Sequence, residues 1–172
     1  MRRVLTAAAI AVALVPFANA FAGPGAGNQP SVTGGGRYDR TECAINFSVS
    51  AHQTPNGATG TQTATMSNAP GAIPGCPGQG QIKATVTCVA VNGNMAEVRG
   101  IITKMTGSFG PDFFPPGEGV FVTDVQDNGN PSDGTPDTIQ QSVDDPGTEH
   151  SCQAPSGAQT FTVDNGNVTV RD

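Results

Sequence analysis

Tryptophan is absent and tyrosine occurs once, at Tyr38, so the flat amphipathic rings that stack on sugar faces are nearly missing. This weighs against a carbohydrate-binding platform. Basic residues are also scarce: eight Lys and Arg stand against fourteen Asp and Glu, a net charge of −6. No basic stripe is available to neutralise a phosphate backbone, which argues against nucleic acid as a partner. The four cysteines show none of the close paired spacings of a structural zinc site, and no metal or cofactor is assigned. A Gly-x-Ser-x-Gly turn is lacking too. His52 and His150, the only histidines, fall at a strand end and in a loop and read as surface residues. The spacing of Glu42, Glu97, Glu118 and Glu149 marks no acid/base pair, and Glu97 is expected to face solvent on its strand. No catalytic residues are assigned.

What the chain does contain points to export. Met1-Arg2-Arg3, the uncharged run Val4 to Phe17 and the small-x-small site Ala18-Asn19-Ala20 read as a signal peptide over residues 1–20. Its apolar run is too short for a comfortable membrane anchor, so no membrane insertion is expected after cleavage. Losing Arg2 and Arg3 takes the net charge from −6 to −8. Residues 21–31, rich in Gly, Ala and Pro, read as a flexible leader, and 32–172 as one domain. In an exported chain Cys43, Cys76, Cys88 and Cys152 imply two disulfides, with three connectivities open.

The domain is organised around Ile82 to Lys104, which reads as a β-hairpin. Across a three-residue loop, Asn92-Gly93-Asn94, it places Ala84, Val86, Cys88 and Ala90 opposite Ile102, Gly100, Val98 and Ala96, all on one apolar face. Asn94 takes the left-handed position there. Cys43 to His52 alternates cleanly, with Cys43, Ile45, Phe47, Val49 and Ala51 inward. Val32 to Asp39, Thr59 to Ser67, Val120 to Gln126 and Asp137 to Val143 are further strands. Gly34-Gly35-Gly36 marks a place where backbones approach closely. Thr160 to Val170 is expected to fold as a hairpin about Asn165-Gly166, or as one long bulged strand.

Asn-Gly recurs at 56, 92, 128 and 165, a rhythm that puts all four turns at one end and the three long loops at the other. The expectation is all-β: a single antiparallel meander of eight or nine strands, closed as a β-barrel or a two-layer sandwich. No stretch carries a persuasive helical period.

Gly34-Gly35-Gly36-Arg37, Val86-Thr87-Cys88 through Met95-Ala96, Val122-Thr123-Asp124 with Asp127-Asn128-Gly129-Asn130-Pro131, and Gly166-Asn167-Val168-Thr169-Val170 form a pattern. It resembles the β-rich modules of uncharacterised exported actinobacterial proteins, of the post-COAP-1 type. The resemblance spans roughly the whole mature chain and implies export and an all-β fold, with no established reaction. It also implies that Cys88, on the Val-Thr-Cys strand, accompanies the late Cys152, leaving Cys43 with Cys76. Val125-Gln126 and the insertion around Ser132 depart from the pattern.

Two features invite a ligand reading. Asp124, Asp127, Asn130, Asp133 and Asp137 gather oxygens, but no frame has the alternation and closing carboxylate of a calcium loop, so a solvated hairpin loop is the reading here. Phe113-Phe114, between prolines, is either an exposed anchor for a partner or a cap on the domain's own core. The functional expectation is a secreted, non-enzymatic structural or interaction module with an unknown protein or cell-envelope partner. The alternative is an extracellular small-ligand-binding β-barrel.

Overall fold

Period-two burial is realised as nine antiparallel strands in one curled sheet. The computed structural model describes residues 29–40, 43–68, 79–107, 117–155, 157 and 159–172. Its strands are β1 (Ser31–Arg40), β2 (Cys43–Thr54), β3 (Gly57–Asn68), β4 (Gly80–Asn92), β5 (Met95–Gly107), β6 (Val120–Gln126), β7 (Thr138–Asp144), β8 (Phe161–Thr162) and β9 (Asn165–Arg171). Their order in the sheet is β8-β7-β6-β5-β4-β3-β2-β1-β9, so β1 to β8 run as a meander and β9 returns to the far side of β1. The curl makes an open half-barrel. Among the described residues there is no α-helix.

The inner face carries Val32 and Tyr38 from β1, Ile45, Phe47, Val49 and Ala51 from β2, and Ala64 and Met66 from β3. From β4 to β7 it continues through Ile82, Ala84 and Val86, then Val98 and Ile102, Phe121 and Val125, and Ile139. Burying a side chain of this size is worth about 1.5–3 kcal/mol, and the curl lets all of them share one interior. The glycine run of β1 sits where expected: a Cβ on Gly36 would lie 2.5 Å from the Asn165 carbonyl oxygen and 2.8 Å from Val163. Because the first obstacle is backbone, Gly36→Ala should cost about 1–3 kcal/mol as β1 and β9 are forced apart. A denaturant midpoint equal to that of the unsubstituted chain would refute the close approach.

Three expectations are corrected. The central hairpin turns on Gly93-Asn94, with Asn92 opposite Met95, not on a three-residue loop. Gly93 takes the positive φ of 62°, and among the described residues no non-glycine residue does, Asn94 included. A bulge at Thr87 then restores the expected pairs Val86 with Gly100 and Ala84 with Ile102. Between bulge and turn the phase is reversed, so Val89 is buried while Cys88 and Ala90 are only half-buried. A bulged residue has no partner across the ladder, so it changes which side chains face inward without leaving a mark in composition.

The C-terminal segment is neither a hairpin nor a single strand. Phe161 pairs with Ile139 of β7, whereas Asn165 to Arg171 pair with β1. The chain bends at Val163-Asp164, and its two halves complete opposite edges of the sheet. For the same reason Asn165-Gly166 lies within the β9 ladder, opposite Arg37 and Gly36, and does not join the other Asn-Gly turns.

Candidate functional site

Three places collect side chains with chemistry. The first is a cavity of about 100 Å³ on the open side of the half-barrel, between the end of β1 and β7. Ile45, Ala64, Met66, Ile82, Phe121 and Val143 give it apolar walls, and Tyr38, Arg40 and Gln141 supply polar groups. Tyr38 is fully buried and its hydroxyl donates to Gln141 Oε1 at 3.1 Å. Gln141 Nε2 in turn donates to Thr123 Oγ1 at 3.1 Å. Burial pushes the Tyr38 hydroxyl well above its ordinary range, so it stays a neutral donor. Its ring stacks on Phe161 at 5.4 Å, and the Arg40 guanidinium lies 5.1 Å from the other partner of that stack, the Phe161 ring centroid. Deeper in the interior Gln62 Nε2 donates to the Phe121 carbonyl at 2.7 Å, while its Oε1 is buried without a partner.

The second place is on the outer face of β4, β5 and β6, under the loop that follows β7. Cys88 and Cys152 are bridged with Cα atoms 5.9 Å apart, which fastens that loop to the sheet. Thr87 Oγ1 donates to the Glu149 carbonyl at 2.6 Å, and Gln153 N donates to Glu97 Oε1 at 3.0 Å. Glu97 is therefore not solvent-facing as expected: it is 8% exposed and accepts from Arg99 Nε at 2.7 Å. Arg99 Nη1 reaches Asp144 Oδ2 at 3.1 Å. Glu97 also pairs in register with Asp124, whose Oδ1 is buried without a partner.

Burial first, and the neighbouring Glu97 charge second, push the Asp124 carboxyl up to about 6. A carboxyl with a raised pKa binds its proton more tightly in the folded chain than in the unfolded one. Its contribution to stability is full below the ordinary value of 3.8 and is lost as pH rises through about 6. The unsubstituted chain should thus gain stability from pH 7.5 to pH 5 relative to Asp124→Asn. The gain should be on the order of 1 kcal/mol, since solvent screens part of the effect. Urea midpoints at the two pH values check this, and parallel shifts in both proteins would refute it.

The third place is where the connection from β6 to β7 meets β9. Asp137 is 2% exposed; its Oδ1 accepts from Asn128 N at 2.9 Å and its Oδ2 from Val168 N at 2.6 Å. Asp127 accepts from Gly129 N at 2.9 Å and from Val170 N at 3.0 Å. The acidic loop is thus not simply solvated: two of its carboxylates are engaged by backbone amides, two of them on β9. Among the described residues no group of three or more His, Cys, Asp or Glu is placed to hold a metal ion.

The residues singled out by sequence are placed unevenly. Cys88 and Cys152 are joined, as the resemblance implied. Cys43 is also disulfide-bonded, while Cys76, its expected partner, lies outside the described residues. Phe113 and Phe114 lie outside them as well. His52 and His150 are exposed. Of the cavity's polar residues, Gln141 and Arg40 were not singled out, and Tyr38 only as the one tyrosine; the available signal was that tyrosine on the inward phase of β1. No family model matches the chain, and neither the curated proteins nor the solved structures contain a match, so nothing in these comparisons bears on the expected likeness to exported actinobacterial modules.

Proposed function

We propose that this is an exported, non-enzymatic β domain serving as an interaction module for a protein or cell-envelope partner. The observation that carries it is the unfinished edge of β7. Strand β8 pairs with β7 only at Thr138 and Ile139, so among the described residues no strand lies beside Gln140 to Asp144 on that side, and the apolar cavity adjoins them. Exposed edges are the usual place where one chain adds to another. The disulfide favours an oxidising, extracellular setting. Several acidic side chains already serve the fold: Asp127 and Asp137 accept from backbone amides, and Glu97 from Arg99 and a backbone amide.

The second reading, a small-ligand-binding β-barrel, draws on the cavity and on the hydrogen bonds from β9 to Asp127 and Asp137, which support a sheet that continues around toward closure. Panning the immobilised exported chain against a random decapeptide display library, beside a ligand-observed NMR screen of small apolar fragments, separates the two. Enriched peptides support the module. Fragment hits without enriched peptides support the barrel, and neither kind of hit would remove both.

A further inference from the structure

The same sheet treats its two edges differently. On β9 the amides of Val168 and Val170 are covered by the carboxylates of Asp137 and Asp127. On β7 the stretch Gln141-Ser142-Val143-Asp144 has none of the devices that commonly block an edge: no proline, no lysine, and one acid, Asp144, drawn to Arg99 on the outer face. Backbone groups along a strand alternate sides. The Asp137 carbonyl accepts from Val163 N on the β8 side, so the same phase presents the amides and carbonyls of Gln141 and Val143 at the open edge.

Two further observations say what belongs there. The adjoining cavity, about 100 Å³, is smaller than the ~150 Å³ void that takes a benzene, which suits one aliphatic side chain. At its mouth Arg40 is exposed, rests on the Phe161 ring and has no ion pair among the described residues. We propose that the open edge of β7 takes an extended peptide as an added strand, with one aliphatic side chain in the Tyr38–Phe121–Val143 cavity and an acidic group against Arg40. This rests on the interaction-module reading and gives it a site and a partner chemistry. A small aliphatic acid would fill the cavity and meet Arg40 but leave the edge amides and carbonyls without partners. An extended backbone satisfies all three.

The test is an NMR titration of the isotope-labelled exported chain with an acetylated heptapeptide of alternating threonine and valine, with a central leucine and a glutamate two positions away. Shifts are expected at the amides of Gln141, Val143, Tyr38 and Phe161. Methylating the peptide nitrogens of one alternate phase should weaken binding about tenfold or more, and methylating the other phase should leave it nearly unchanged. Leucine to alanine in the peptide should also cost about tenfold. Arg40→Gln, at an exposed site, should cost roughly twofold to fivefold.

Because the decisive changes are in the peptide, folding of the protein is not at issue. Shifts confined to β9, or binding only by peptides that shift other surfaces, would overturn this site while leaving the module reading intact. Insensitivity to the methylation phase, with hexanoate competing at equal concentration, would assign the cavity to a small acid and overturn the proposal. The same shifts appearing on concentration without peptide, together with a dimer in sedimentation, would overturn it in favour of a second copy of this chain. If neither this peptide nor any displayed peptide binds, the proposal and the module reading fail together.

Discussion

Replacing Cys88 and Cys152 together by alanine is expected to lower the unfolding free energy by about 4 kcal/mol. The bridge joins positions 64 residues apart, so in the unfolded chain it closes a long loop, and opening that loop returns entropy to the unfolded state. For a domain whose total stability is about 5–15 kcal/mol, this is a large fraction. A second, local consequence follows. With the bridge gone, the loop after β7 is held by hydrogen bonds such as Thr87 to Glu149, Gln153 to Glu97 and Arg99 to Thr148, each worth about 1 kcal/mol net. The loop then opens more often than the sheet beneath it, and water reaches Glu97 and Asp124. The difference in pH dependence between the chain and its Asp124→Asn form should shrink in the bridge-free background. Urea unfolding at pH 5 and 7.5 reads both effects. An unchanged midpoint would refute the first, and an unchanged pH difference would refute the covering role of the loop.

Much of the sheet was legible because one face of most strands is apolar throughout. The inward residues expected for β2 are all buried, with Ala44 beside them, and Val120–Gln126 begins and ends as read from sequence. What was not legible depended on partners distant in the chain. Glu97 reads as a solvent-facing acid until the loop carrying Cys152 brings the Gln153 amide to it. Asp137 reads as a solvated acid where the loop meets a strand until β9 lays the Val168 amide against its carboxylate. Gln62 and Gln141 carry no apolar signal, yet both are buried and reach across the interior, Gln62 from β3 to the Phe121 carbonyl and Gln141 from β7 to Thr123 and Tyr38. The Asn165-Gly166 turn signal was overruled by a larger effect. As a hairpin, residues 160–170 would pair with themselves and leave β1 with an open side. Divided between β7 and β1, they satisfy two existing edges. The site on the open side escaped notice for a related reason: it is formed by the ends of strands that lack partners, and pairing partners are not visible in local sequence.

Asp137→Ala is expected to cost about 3–5 kcal/mol, a loss of the same size as that of the disulfide. The carboxylate is 2% exposed and receives two backbone amides, Asn128 N and Val168 N. Hydrogen bonds to a charged group contribute about 1.5–3 kcal/mol each, and removing the acceptor leaves Val168 N buried without a partner. Asp137→Asn keeps one acceptor oxygen but turns an amide nitrogen toward the other donor, so it should recover only part of the loss. The sheet ladder itself says where the damage will appear. Val168 is opposite Gly34 of β1, and on its other side the carboxylate of Asp137 takes the place of a neighbouring strand. In the alanine form hydrogen exchange at Val168 and Val170 should accelerate well before exchange in β2 to β5, because the β9 edge loosens while the rest of the sheet keeps its pairs. Asp133, exposed in the same loop, is the control: Asp133→Ala should change neither stability nor exchange. If Asp137→Ala proves no more costly than Asp133→Ala, the aspartate is not what holds β9. The contrast between a covered β9 edge and an open β7 edge would then lose its physical basis.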